Sequence, residues 1–241
     1  MNGLEKEETK LRISIQYTLA FVSLMWLVKF LEWATSMDLA VLGIYPRTLA
    51  GSVGIVTSPF IHGDFIHLFS NTFPLVFLGI GTIYFYRRFA IDAFIAIYLI
   101  TGVLVWLLAR NAYHIGASGL VYGLVSFLFF SGILRKDIRA VAISLVVIFL
   151  YGGMIYGIFP TVETISWESH LLGSISGFFI AFMYRRKSIS ISALPSISKH
   201  LSGSPGITDP KWVTTSTLEE GKDYTIHYTY QTRDKSSRPS S

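Results

Sequence analysis

Long apolar runs alternate with short charged or polar breaks along most of this chain. Six such runs stand out, at 13–33, 65–86, 90–109, 116–134, 138–159 and 168–184, the fifth stopped by Pro160. A helix of roughly 20 apolar residues crosses the hydrocarbon core of a bilayer. The pattern therefore predicts an all-α polytopic membrane protein, a bundle of six transmembrane helices. The fourth and sixth runs are short and rich in glycine and serine. Polar residues within a span face the bundle interior or a wet cavity, which is what the polar groups of these two are expected to do.

Outside the runs, the chain divides into a charged N-terminal segment (1–12), a membrane domain (13–186) and a tail (187–241) rich in Ser, Thr, Pro and Gly. The tail has the composition of a flexible segment. Its stretch 223–231 alternates like a strand, and the preceding 219–222 suits a turn, which together suggest a small hairpin. The loop 35–64 is long and moderately apolar, and it suits the membrane interface. The first run has no small-residue cleavage site ahead of a soluble domain, so it reads as a retained helix.

Composition sharpens this picture. Hydrophobic residues make up 51% of the chain and charged residues 15%, against about a quarter charged in soluble domains. The net charge of +5 does not indicate nucleic acid, because the basic residues cluster at the ends of apolar runs. Lys6, Lys10, Arg12, Arg87, Arg88, Arg135, Lys136, Arg139, Arg185, Arg186 and Lys187 fall on one side of a six-span arrangement. Positive residues favour the cytoplasmic side, so both termini are expected there. With no cysteine in the chain, disulfides, thiolate catalysis and cysteine metal sites are excluded.

Three polar clusters sit at the outer ends of spans. His67 and Asn71, four apart at the start of the second, share a helix face. Gly116-Ala117-Ser118-Gly119 opens the fourth, with Tyr122 one turn below the serine. His170, Gly173 and Gly177 line one face of the sixth, and their spacing matches Gly119 and Gly123 on the fourth. Small residues let helix backbones approach closely. Packing through these glycines would bring His170 to Ser118, and a serine hydroxyl becomes a strong nucleophile only when a base takes its proton. His67, Asn71 and the backbone N–H groups at Ala117 and Ser118 are candidate donors to an oxyanion. Tyr122 is placed to pack under the imidazole. Glu168 is two residues from His170 and points to another face, so a dyad is expected in place of a triad.

Each cluster also has a plainer explanation. A Gly-x-Ser-Gly string alone more often opens a tight helix, and paired glycines more often serve helix packing. His67 and Asn71 suit inter-helix hydrogen bonding. His114 is a rival base. A metal site of His62, His67 and His170 lacks carboxylates at ligand spacing.

Taken together, His-x-x-x-Asn in the second span, Gly-Ala-Ser-Gly with a tyrosine four beyond the serine in the fourth, and His-x-x-Gly-x-x-x-Gly in the sixth resemble the rhomboid family of intramembrane serine proteases. The loop residues Gly43, Pro46, Arg47, Gly51, Gly54 and Pro59 resemble its bacterial members. The resemblance implies a six-helix rhomboid-like bundle in a bacterial inner membrane, acting as a serine-type endopeptidase without cofactor or metal. Ser118 is then the nucleophile, His170 the base, His67 and Asn71 the oxyanion-binding pair, and Tyr122 the ring stacked on the base. The substrates implied are transmembrane proteins, cut in or near their spans. Many rhomboids carry a Trp-Arg pair in the first outer loop, and 35–64 has none. Gly152, Gly153 and Gly157 near the outer end of the fifth span suggest an end that moves to admit substrate sideways. His62, Asp64, Asn111 and His114 suggest a polar mouth for water. Two other classes stand beside this one: a catalytically inactive rhomboid-like protein that binds membrane clients, and a small transporter, which would want polar groups near mid-membrane and often internal symmetry, neither of which the sequence offers.

Overall fold

The computed structural model describes residues 3–151, 156–160 and 166–186. Within them lie α1 (Gly3–Thr35), α2 (Gly54–Thr57), α3 (Phe65–Tyr86), α4 (Ala90–Leu108), α5 (Ser118–Arg135), α6 (Ile138–Leu150) and α7 (Trp167–Tyr184), with single 3-10 turns between some of them. Four of these, α1 from Glu7 onward, α3, α4 and α5, have both the length and the apolarity to cross a membrane. At 13 residues α6 is shorter, about 20 Å at 1.5 Å per residue. Glu168, His170 and three serines make α7 more polar than the four.

Local sequence accounts for the start of two helices. Asp64 caps α3, its carboxylate accepting the His67 N–H at 2.7 Å. Asp137 caps α6 in the same way, accepting from the Arg139 N–H at 3.2 Å. Two boundaries differ from the sequence expectation by more than two residues. α1 starts ten residues before the expected span, because its polar N-terminal residues are good helix formers and Lys10 pairs with Glu7 at 2.6 Å. α6 ends at Leu150, well short of the expected 159. Gly152 and Gly153 follow at once, and glycine disfavours helix by about 1 kcal/mol relative to alanine. Those two glycines, the tail and its suggested hairpin lie outside the described residues.

α5 is the axis of the bundle. In its most apolar stretch 67% of residues are buried in protein, against 22% in α1 and 28% in α4. It packs against α3, α4, α6 and, most extensively, α7. Glycines make the α5–α7 contact close. A Cβ on Gly173 would sit 2.9 Å from the Gly119 carbonyl carbon, and one on Gly177 would sit 2.8 Å from that of Gly123. The Ser126 hydroxyl adds a bond to Ser174 O at 2.7 Å.

The loop between α1 and α3 is docked without a Trp-Arg pair of its own. Arg47 donates to Ala109 O at 2.8 Å and to Asn111 Oδ1, capping the end of α4. Trp106 of α4 donates its indole N–H to Thr48 O at 2.8 Å. A short antiparallel bridge between Ile44 and His114 then ties the loop to the segment that leads into α5.

Candidate active site

The segment before α5 makes a sharp turn to present Ser118. Gly116 has φ +98°, a conformation open to glycine and strained for other residues. A Cβ there would also strike the His67 ring, 2.7 Å from Nε2, and would lie 3.7 Å from Asn71 Nδ2. The expected support residue Gly116 thus sits directly against the expected oxyanion pair. Ser118 is the first residue of α5, where N–H groups lack an intrahelical acceptor. Among the described residues none accepts the Ser118 N–H.

His170 reaches this point from the first turn of α7. Its Nε2 lies 2.8 Å from Ser118 Oγ, and its Nδ1 lies 2.8 Å from Gly157 O. A carbonyl oxygen only accepts, so Nδ1 carries the proton and Nε2 offers its lone pair to the serine O–H. Tyr122 stacks on the imidazole, with ring centroids 4.2 Å apart and planes 7° from parallel. The close contact of Gly119 with Gly173 holds both helices at this distance. Sequence reasoning brings Ser118, His170 and Tyr122 together but misses Gly157. A backbone carbonyl has no side-chain signature, and it stands where a carboxylate stands in a triad. Glu168 faces elsewhere, accepting from the Arg110 N–H at 3.5 Å beside the Arg110 guanidinium at 3.7 Å.

On the other side of Ser118, Asn71 is buried and donates to His67 O at 3.2 Å. That bond uses one amide proton and leaves a second. The Ala117 N–H, expected as an oxyanion donor, is directed instead to His62 Nε2 at 3.4 Å. In this arrangement it is occupied, and the unoccupied backbone donor is that of Ser118. Burial, with His67 adding to it, pushes the His62 pKa down to about 3, so this ring is a neutral acceptor. The His62 backbone is held by Lys29 of α1, whose ammonium donates to His62 O at 2.8 Å, Gly63 O at 3.0 Å and Glu32 Oε2 at 2.7 Å.

The expected polar mouth is only half present. Asp64 and Asn111 are exposed, but His62 and His114 are buried, at 1% and 2% exposure. A neutral imidazole is buried at far less cost than a carboxylate. His114, the rival base, turns to Ser166 and not to Ser118, with Nδ1 2.5 Å from Ser166 Oγ. Behind the start of α5 lies a cavity of about 30 Å³ bordered by Ser58, Thr101, Gly116, Gly119 and Ser169. That is room for one or two waters. Thr101 Oγ1 is buried without a protein partner among the described residues.

These features define an integral membrane protein, all-helical among the described residues, with a serine and a histidine hydrogen-bonded between α5 and α7. A family model described as the rhomboid domain matches residues 50–187. An uncharacterized protein of Mycobacterium tuberculosis is 34% identical over 175 residues, spanning 68% of this chain and 72% of its own. One of Mycobacterium leprae is 32% identical over 183 residues, spanning 68% and 69%. The chain belongs to the rhomboid family.

Proposed function

We propose that this protein is an intramembrane serine endopeptidase that cleaves transmembrane proteins in or near their membrane spans. The observation that carries this is the 2.8 Å contact between Ser118 Oγ and His170 Nε2, with Gly157 O fixing the tautomer from the other side. In the acylation step, Ser118 Oγ attacks the scissile carbonyl carbon as Nε2 takes the hydroxyl proton. The carbonyl oxygen becomes an oxyanion, met by the second Asn71 amide proton, His67 and the Ser118 N–H. Preorganised donors of this kind are worth roughly 3 kcal/mol each. When the tetrahedral adduct collapses, the C–N bond breaks and the imidazolium gives its proton to the leaving amine. Water then hydrolyses the acyl-enzyme with His170 as base, and the cavity behind Gly116 and Gly119 is a store for that water.

In this reading α1, α3, α4, α5, α6 and α7 act as a six-span bundle in a bacterial inner membrane, with both termini cytoplasmic and the dyad toward the outer face. A substrate helix must unwind before it is cut. Unpaired backbone groups cost several kcal/mol each in lipid, so unwinding belongs at the protein's own polar centre.

The experiment is cleavage of a transmembrane reporter in liposomes by the full-length protein. Wild type should cut it, and Ser118→Ala, equally folded, should not. Equal cleavage by Ser118→Ala would end the protease reading. Binding of the reporter without cleavage by wild type would favour an inactive client-binding relative.

A further inference from the structure

His114 is a buried histidine that the proposed chemistry does not use, yet each of its polar atoms is engaged. Its N–H donates to Ile44 O at 2.8 Å and its O accepts from the Ile44 N–H at 3.0 Å. Its ring Nε2 meets Arg110 O at 3.0 Å, and Nδ1 meets Ser166 Oγ at 2.5 Å. Ser166 Oγ in turn lies 2.6 Å from Ser169 Oγ.

The donors in this chain can be assigned. Arg110 O only accepts, so Nε2 carries the ring proton and Nδ1 presents a lone pair. The Ser166 hydroxyl has one proton and gives it to Nδ1. Its own oxygen then accepts from the Ser169 hydroxyl. The chain runs in one direction, from Ser169 through Ser166 to His114 and on to Arg110.

Its ends lie on the two segments that carry the proposed dyad. His114 is four residues before Ser118, in the segment whose Gly116 N–H is held by Ser58 O at 2.9 Å. Ser166 is the residue at the start of α7, and its hydroxyl makes no capping bond to the helix. Its backbone oxygen accepts from the Ser169 N–H at 3.1 Å and the His170 N–H at 3.4 Å. The residue gripped by His114 thus also holds the turn that bears His170. A second tie joins the same two segments, from the Arg110 N–H to Glu168 Oε1.

We propose that His114, Ser166 and Ser169 form a hydrogen-bonded clasp that, together with the Gly119–Gly173 contact, sets the distance between Ser118 and His170, with His114 and Ser166 as positioning residues for the reaction. This rests on the protease reading given above. The clasp acts on the chemical step, because its bonds join the segment before Ser118 to the first turn of α7 and none of them is made to Ser118, His67 or Asn71. A misplacement on the order of 1 Å can cost about 100-fold in rate. Loosening one bond of the clasp should therefore lower kcat roughly tenfold and leave KM unchanged.

The test uses the full-length protein in liposomes, with kcat and KM measured on a transmembrane reporter and normalised to the fraction of Ser118 that a fluorophosphonate labels at completion. Ser166→Ala removes a single oxygen. It should lower kcat without raising KM, and Ser166→Thr, which keeps the hydroxyl, should restore it. Ser166→Ala placed on His114→Ala should cost less than Ser166→Ala alone, since the bond to His114 is already gone and only that to Ser169 remains. An unchanged kcat in Ser166→Ala, a rise in KM alone, failure of threonine to rescue, or additive losses in the double variant would each overturn the clasp. Wild type that neither cleaves nor labels would instead overturn the protease reading.

Discussion

Replacing Gly173 by alanine tests whether helix packing sets the candidate site. The new Cβ would lie 2.9 Å from the Gly119 carbonyl carbon and closer still to its oxygen, where ordinary contact begins at 3.4 Å. The obstacle is backbone, so no side chain can swing away. α7 must move off α5 by at least half an ångström, and by roughly 1 Å once the carbonyl oxygen is cleared. His170 is three residues from Gly173 on the same face, so its Nε2 retreats with the helix. The 2.8 Å bond to Ser118 would then exceed hydrogen-bonding distance. A displacement of this size costs on the order of 100-fold in rate. The assay is cleavage of a transmembrane reporter in liposomes, alongside a thermal unfolding midpoint in detergent. Gly63→Ala is the matched control, since nothing lies within 4 Å of a Cβ there, and it should behave as wild type. Gly173→Ala activity within about threefold of wild type would refute the claim that this glycine contact sets the dyad distance.

Further predictions concern single groups around the site. Asn71→Ala should lower kcat by roughly 100- to 1,000-fold with little change in KM, as expected for one oxyanion donor; a loss confined to KM would remove Asn71 from that role. Tyr122→Phe keeps the ring stacked on His170 and should stay near wild type, while Tyr122→Ala should lose about three- to tenfold, and equal losses in both would point to the hydroxyl instead. Stability should depend on pH through His62. Its folded pKa lies below its ordinary value of 6.5, at about 3, so the unfolded chain binds the extra proton between those values. Stability from this group is complete above about pH 6.5 and falls by about 1.4 kcal/mol per pH unit as acid is added, until pH nears 3. His114, also driven below its ordinary value by burial, acts in the same direction. His62→Gln should flatten the slope of unfolding midpoint against pH between 6 and 4.5, and an unchanged slope would contradict the assignment of His62 as a buried neutral acceptor.

How far the sequence could be read depends on what kind of atom does each job. α3 was legible at both ends because Asp64 caps it and Arg87 and Arg88 follow it. The meeting of Ser118 with His170 was legible because Gly119, Gly123, Gly173 and Gly177 share a spacing that only close helix contact explains. The early end of α6 was not, since the apolar run continues past Leu150 and apolarity alone does not mark where a helix stops. The Gly157 carbonyl left no trace because every residue has one. The burial of His62 and His114, and the turning of the Ala117 N–H toward His62, depend on the path of loops whose hydrogen bonds follow no sequence period. Loop docking came from a tryptophan and an arginine, Trp106 and Arg47, that are far apart in the chain.

The most direct measurement is peptide mapping by mass spectrometry after fluorophosphonate treatment of membranes holding the full-length protein. One adduct per chain on Ser118 in wild type, and none in His170→Ala over the same time, is the expected result. An adduct on another serine, no adduct at all, or His170→Ala labelled as fast as wild type would contradict a nucleophile on α5 activated by a base on α7.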